Sequence, residues 1–286
     1  MKPEMQPGGS SFLLWYVKVG AILYIVSEYE FDRLRSKGCQ PEGAERMKER
    51  FVAAWRAVTR VPISGEASQE SLAVLPYFPL IGLLVGLCLW GAAALLGWIA
   101  TPVVAGFLGA LLIPALGWGL DGGRMLVGVM TVVDRWEQGA ASPSGRTLRP
   151  YGALIFLQGA FLTKAVTVGL LIHAGAAVWL VASVVIGTAA LAESAVGQPK
   201  VARWSPGARF ANWWLVAGAV ALVAGGMAGF AVGGLVAGIV AWLAVPTVAA
   251  AMQERIGAGG AETSWCLREV AETVTLVAGV LLLVSN

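Results

Sequence analysis

The chain has 286 residues, of which 57% are hydrophobic and only 13% charged, against about 25% charged in a typical soluble domain; its mean hydropathy is +0.73. A water-soluble globule of this composition could not cover its own surface, and the long uniformly apolar runs argue against a β-barrel, whose strands alternate polar and apolar residues. The net charge of +3 excludes little, so the placement of the charges carries the information.

Residues 1–10 read as a disordered polar start. Residues 11–27 are apolar but short, with Lys18 inside, and no small-residue cleavage site follows. A removed signal peptide therefore fits poorly, while an interfacial helix and an extra span both stay open. Residues 28–60 are rich in charge. Within them, residues 45–60 predict an amphipathic helix, with Phe51, Ala54, Trp55 and Val58 near i, i+3, i+4 and i+7. A basic helix of that kind lies in a membrane interface, and Pro62 ends it.

Seven apolar runs follow, at about 79–99, 102–120, 151–173, 175–193, 212–229, 231–250 and 268–285. Each approaches the roughly 20 residues that a bilayer requires of a helix. The abundant glycine and alanine suit helices that pack closely through small residues. Short uncharged links alternate with longer charged ones, at 121–150, 194–211 and 251–267. Arg124, Arg135, Arg146, Arg149, Lys200, Arg203, Arg209, Arg255 and Arg268 lie in or beside the charged links, which the positive-inside rule places in the cytoplasm. The expected fold is thus an all-α polytopic membrane bundle of about seven transmembrane helices. Residues 1–60 form an N-terminal segment and residues 61–286 the transmembrane domain.

Little in the chain suggests histidine or cysteine chemistry. Cys39, Cys88 and Cys266 are scattered, and the one histidine, His173, reads as a packing or interface residue. Acids on the charged face are the better candidates. Asp134, Glu137 and Glu254 read as loop-solvating residues. Asp121 sits where an apolar run emerges, followed by Gly122 and Gly123. Two readings stand there: a carboxylate that holds Mg²⁺ against a pyrophosphate, or a helix-end cap. Glu269 and Glu272 share a helix face, and the deeper Glu272 suits a polar cavity or a metal. Lys164 lies mid-span, where a charge is costly; it either pairs with a carboxylate such as Glu193 or holds an anionic group. Arg146 and Arg149 either hold phosphate by bidentate hydrogen bonds or are ordinary positive-inside residues.

From about residue 51 to the end, order and spacing resemble the cobalamin synthase (adenosylcobinamide-GDP ribazoletransferase) family. FVAAWRAVTRVPI at 51–63 is similar to the family's opening segment, and SLAVLPYFPLIGLLVG at 71–86 to the one that follows. LDGG at 120–123 falls at the acidic motif, RTLRPYGAL at 146–154 at the "DSRiGtyG" motif with Lys164 at a lysine beyond it, and GAGGAETSWCLREVAE at 257–272 at the last motif. In that register Glu262 takes an aspartate place, and Glu269 and Glu272 take two glutamate places. The chain also departs from the pattern: Met125 stands at the second aspartate of the acidic motif and Gly145 at the aspartate of the next.

The resemblance implies a prokaryotic cytoplasmic-membrane transferase that joins α-ribazole, or its 5'-phosphate, to adenosylcobinamide-GDP with release of GMP and with Mg²⁺ as cofactor. It implies Asp121, Glu262, Glu269 and Glu272 as metal ligands. Asp121, Lys164, Arg146 and Arg149 would be catalytic, and Gly122, Tyr151 and Gly152 would line the site. No nucleic-acid partner is expected; a homo-oligomer, or association with other corrinoid-pathway membrane proteins, is open. The departures leave a second reading, a non-catalytic relative that acts as a membrane binding or scaffold subunit. A transporter is disfavoured because no inverted repeat is visible. A CDP-alcohol phosphotransferase is disfavoured because its spaced aspartates are missing.

Overall fold

A computed structural model of the chain describes residues 42–63, 74–138, 150–196, 210–227, 231–256 and 260–285. The chain divides into two compact units, Met1–Glu49 and Arg50–Asn286. All regular structure among the described residues is helical. The helices are α1 (Glu42–Val58), α2 (Phe78–Ile99), α3 (Pro102–Leu120), α4 (Arg124–Gln138), α5 (Pro150–His173), α6 (Trp179–Val196), α7 (Phe210–Met227), α8 (Ala231–Ile256) and α9 (Ala261–Val284), with a 3₁₀ turn at Leu75–Tyr77 before α2. The apolar residues at 11–27 lie outside the described residues.

The helices match the seven apolar runs closely, but the charged link at 121–150 is not all loop. Its first part is α4, with Met125, Val129 and Val132 buried at i, i+4 and i+7. The amphipathic period was present in the sequence, but Gly122, Gly123 and the flanking charges masked it. Four helical segments among the described residues are long and apolar enough to cross a membrane: Leu75–Ile99, Pro102–Leu120, Gly152–His173 and Gly233–Ile256. Trp179–Ser194 and Ala217–Gly226 are apolar but shorter, and α9 carries four charges in its first half. Helices thus lie where about seven spans were expected, whereas among the described residues four have the length and apolarity of a self-sufficient span.

Packing is organised around α6. Every residue from Ala176 to Ala192 is buried, as befits a helix that is apolar all round, and α2, α7 and α9 lie against it. Close approach depends on missing side chains. A Cβ on Gly82 would collide with Thr188, and one on Gly86 would lie 2.9 Å from the Val181 Cα. A Cβ on Gly279 would lie 2.8 Å from the Trp179 ring. Rising numbers on one helix meet falling numbers on the other, so these pairs are antiparallel. The same holds for α3 against α5, where Gly106 faces Gly169 and His173, and for α7 against α8, where Gly234 faces Ala221. His173 is itself exposed and packs through its stem. Antiparallel pairing brings the end of α3, the start of α5, the end of α6 and the start of α9 to one side, which is where the charges are.

The outer surface is apolar. Trp98, Val103, Phe107, Ile155 and Leu162 are all more than half exposed. Side chains of that kind face lipid in a membrane protein and would associate in water. The chain is an integral membrane helical bundle.

Two alanine substitutions on α2 separate packing from propensity. Gly86→Ala meets backbone that cannot yield and lowers the thermal midpoint in detergent, at a cost of about 1–3 kcal/mol. Gly91→Ala, where no atom lies within 4 Å, raises it slightly, because alanine is the better helix former by about 0.5–1 kcal/mol. Equal shifts for the two variants would disprove the α2–α6 contact.

Candidate functional site: a buried ion cluster beneath the Asp121 turn

The first half of α9 brings Arg268, Glu269 and Glu272 onto a buried face. α5 brings Lys164 to meet them. The Lys164 ammonium donates to Glu269 Oε2 and to Glu272 Oε2, each at 2.8 Å. Arg268 Nε donates to Glu272 Oε1, also at 2.8 Å and one helical turn away. The Thr273 hydroxyl lies 3.5 Å from Glu269 Oε1. All four side chains are less than a tenth exposed. Two cations and two anions make the cluster neutral, which is the condition under which buried charges can be held in an apolar interior. Room for it comes from α6, since a Cβ on Gly187 would collide with the Glu272 side chain.

Asp121 follows α3 directly and caps it: its N–H donates to Gly117. Gly122 and Gly123 take φ of +69° and +74°, a region that side-chain-bearing residues rarely enter, so the chain reverses here into α4. Asp121 Oδ1 accepts the Gly123 N–H at 2.8 Å. Asp121 Oδ2 is buried without a hydrogen-bond partner, although the residue is only 1% exposed. Burial pushes the carboxyl up to about 6, against the pull of the Arg268 charge and with a further push from Glu272. The helix-cap reading therefore accounts for one oxygen and leaves the other open.

Arginines surround this turn. The Arg60 N–H donates to the Leu120 carbonyl at 2.7 Å, and its side chain lies across Gly122, where a Cβ would displace it. Arg124 donates to the carbonyls of Arg56 and Ala57 at the end of α1. Its guanidinium lies 5.5 Å from the Trp265 ring centre, and that of Arg268 lies 5.2 Å from the same ring, both within cation–π range. Arg268 Nη1 is buried without a partner. A small cavity of about 20 Å³, lined in part by Trp118, Met125, Lys164, Ser183, Arg268 and Glu272, has room for about one water.

The structure thus gathers Asp121, Lys164, Glu269 and Glu272 into one electrostatic group. Of the two readings of Lys164, pairing with carboxylates is the one found, and the partners are Glu269 and Glu272 rather than Glu193; helix α9 faces the middle of α5. Glu262 is half-buried in the first turn of α9, seven residues and so about 10 Å along the axis from Glu269. Gly122 forms the turn, and Tyr151 and Gly152 open α5. Arg146 and Arg149 lie outside the described residues. No group of three or more His, Cys, Asp or Glu side chains among the described residues is placed to hold a metal ion. Within the buried cluster, Asp121 Oδ2 is the open carboxylate oxygen, which fits one ligand position for a magnesium ion that takes its other ligands from substrate and water. Sequence reasoning missed Arg268, Trp265, Arg124 and Gly187. The i, i+4 spacing of Arg268 and Glu272 was readable, but the part of Gly187 depends on which helix crosses α9.

Two relatives match this chain in sequence over most of their length. The adenosylcobinamide-GDP ribazoletransferase of Ectopseudomonas mendocina (strain ymp) is 32% identical over 242 residues, which cover 79% of this chain and 96% of the relative. The protein of the same name from Pseudomonas entomophila (strain L48) is 31% identical over 219 residues, covering 71% of this chain and 85% of the relative. The chain belongs to the adenosylcobinamide-GDP ribazoletransferase family. No family model matches it, and no solved structure does. Membership rests on identity above 30% over 96% and 85% of the two relatives.

Removing one member of the buried cluster tests its energetics. Lys164→Met leaves two buried carboxylates facing each other and costs about 3–5 kcal/mol, seen as a lower thermal midpoint in detergent; adding Glu269→Gln recovers part of it. An unchanged midpoint in Lys164→Met would show that the ammonium does not hold the two glutamates.

The Asp121 shift gives a pH signature. A carboxyl raised from 3.8 to about 6 keeps a proton in the folded state that the unfolded chain has released. The contribution of this group to stability is full below pH 4 and is lost as pH rises through about 6, by up to about 3 kcal/mol. Asp121→Asn, compared with wild type across that window, removes this component of the slope. Parallel stability curves for the two proteins would contradict the buried-carboxyl geometry.

Proposed function

We propose that the protein is a cytoplasmic-membrane adenosylcobinamide-GDP ribazoletransferase, with its charged helix ends toward the cytoplasm. What supports the reading is the near-full-length relationship to two proteins of that name, with a buried, charge-compensated cluster at the positions where the family motifs fall. In the reaction the hydroxyl of α-ribazole, or of its 5'-phosphate, attacks the phosphorus linked to cobinamide. A new P–O bond forms, the bond to the GMP oxygen breaks, and the hydroxyl proton is lost. Product is adenosylcobalamin or its phosphate, and GMP leaves.

Such a transfer depends mostly on positioning and on charge stabilisation of phosphoryl oxygens. Magnesium, when bound, would neutralise those oxygens. Asp121 would hold it through Oδ2, with Glu262 as a second carboxylate at the start of α9. Glu269 and Glu272 differ, because their oxygens already accept from Lys164, Arg268 and Thr273. In this reading they act as counter-ions that fix Lys164 and Arg268 rather than as metal ligands. Arg146 and Arg149, which precede α5 in the sequence, would hold the substrate phosphates together with the Lys164 charge, and Gly122 and the start of α5 at Tyr151 and Gly152 lie at the same end of the bundle.

The test is turnover by purified protein in liposomes with adenosylcobinamide-GDP, α-ribazole and Mg²⁺, read as cobalamin and GMP formed together. Asp121→Ala lowers the rate by about 100-fold or more, and chelation abolishes product until Mg²⁺ is returned. If the wild type makes no product while a family member is active alongside it, the chain is instead a non-catalytic relative.

A further inference from the structure

Arg60, Arg124 and Arg268 stand around a single turn, and among the described residues the carboxylate hydrogen-bonded to any of the three is Glu272, which accepts from Arg268. Arg124 spends its hydrogen bonds on the α1 carbonyls. The Arg60 side chain lies against Gly122, two residues before Arg124, and burial and then the Arg60 charge hold the Arg124 pKa below the ordinary arginine value. Arg268 is 3% exposed, yet Nη1 has no partner. Asp121 is the acid within the turn itself, and its Oδ1 accepts the Gly123 N–H. Crowding guanidiniums in a partly desolvated place is unfavourable unless an anion sits among them. A buried guanidinium N–H left without an acceptor carries a further penalty. A phosphate-type anion at the turn would offset both.

We propose that Arg60, Arg124 and Arg268 form the seat for a diphosphate ester at the mouth of the Asp121 turn, with Trp265 as the plate that holds two of the guanidiniums in register. The inference rests on the transferase reading for the source of the diphosphate, which is the substrate; the same chemistry would also suit an anionic lipid headgroup. Arg60 is the exposed, adjustable member, and Arg268 the buried, fixed one. Trp265 is a positioning residue, since the ring touches the arginines and not the anion.

The experiment uses the full chain in nanodiscs of zwitterionic lipid, with inorganic pyrophosphate and GDP as probes in calorimetric titration. Wild type binds pyrophosphate, and Arg60→Gln weakens it by about tenfold, the loss of one charge-assisted hydrogen bond. Arg255→Gln, which removes an exposed charge elsewhere on the same side, leaves the affinity unchanged. Trp265→Leu weakens binding as Arg60→Gln does, and Trp265→Phe restores it. In turnover, Arg60→Gln raises KM for adenosylcobinamide-GDP by the same factor with kcat little altered. Pyrophosphate affinity that ignores Arg60→Gln overturns the seat. So does an absence of pyrophosphate binding in zwitterionic lipid; if Arg60-dependent binding of phosphatidylglycerol accompanies that absence, the seat belongs to lipid. Turnover with a KM unmoved by Arg60→Gln and Trp265→Leu removes the seat and keeps the transferase. Arg60-dependent pyrophosphate binding without turnover keeps the seat and removes the transferase.

Discussion

The bond on which the site depends is the one between the Lys164 ammonium and two glutamates of α9. A lysine in the middle of a membrane helix is strongly unfavourable by itself, and so are two carboxylates one turn apart on a buried face. Together, with Arg268 closing the second glutamate, they are neutral and hydrogen-bonded. The cluster fixes α5 against α9 at one height, because a slip of either helix would leave a charge in an apolar setting. That constraint sets where the Asp121 turn, at the end of α3 and packed beside α5, meets the start of α9.

Such a cluster can be built only where backbones come close. α6 supplies that closeness by being small and apolar on every side, so that α2, α7 and α9 can surround it. Gly187 is the point where packing and chemistry meet: the missing side chain on α6 is the volume that Glu272 occupies. The glycines that let the bundle pack also make the polar pocket possible. Lipid-facing surfaces need no such precision and carry the large exposed side chains Trp98, Phe107 and Ile155.

The polar end is asymmetric in a useful way. Inside, two cations and two anions balance, and the Lys164 and Glu272 charges are hydrogen-bonded. At the turn, three arginines meet one aspartate whose second oxygen has no partner. A site with its inner charges locked and its outer ones incompletely paired is suited to an anionic substrate with an accompanying cation, because the ligand completes the pairing without disturbing the scaffold.

Much of this was determined by sequence alone. Composition and run length required a helical membrane bundle, since a chain so apolar has no other way to satisfy its backbone in lipid. The positions of seven apolar helices, a basic amphipathic helix at about 45–60, and the candidacy of Asp121, Lys164, Glu269 and Glu272 were all readable, because helix period, span length and the cost of a membrane charge are local properties. What tertiary structure decided is who meets whom. Lys164 was compatible with any nearby carboxylate, and only the crossing of α5 with α9 chose Glu269 and Glu272 over Glu193. The charged link hid α4, whose buried face exists because α5 and α9 cover it. Arg268 and Trp265 looked like ordinary residues at a helix entrance until α4 brought Arg124 to the same ring. Pairing between residues about a hundred positions apart is set by packing geometry, and no local pattern in the chain encodes it.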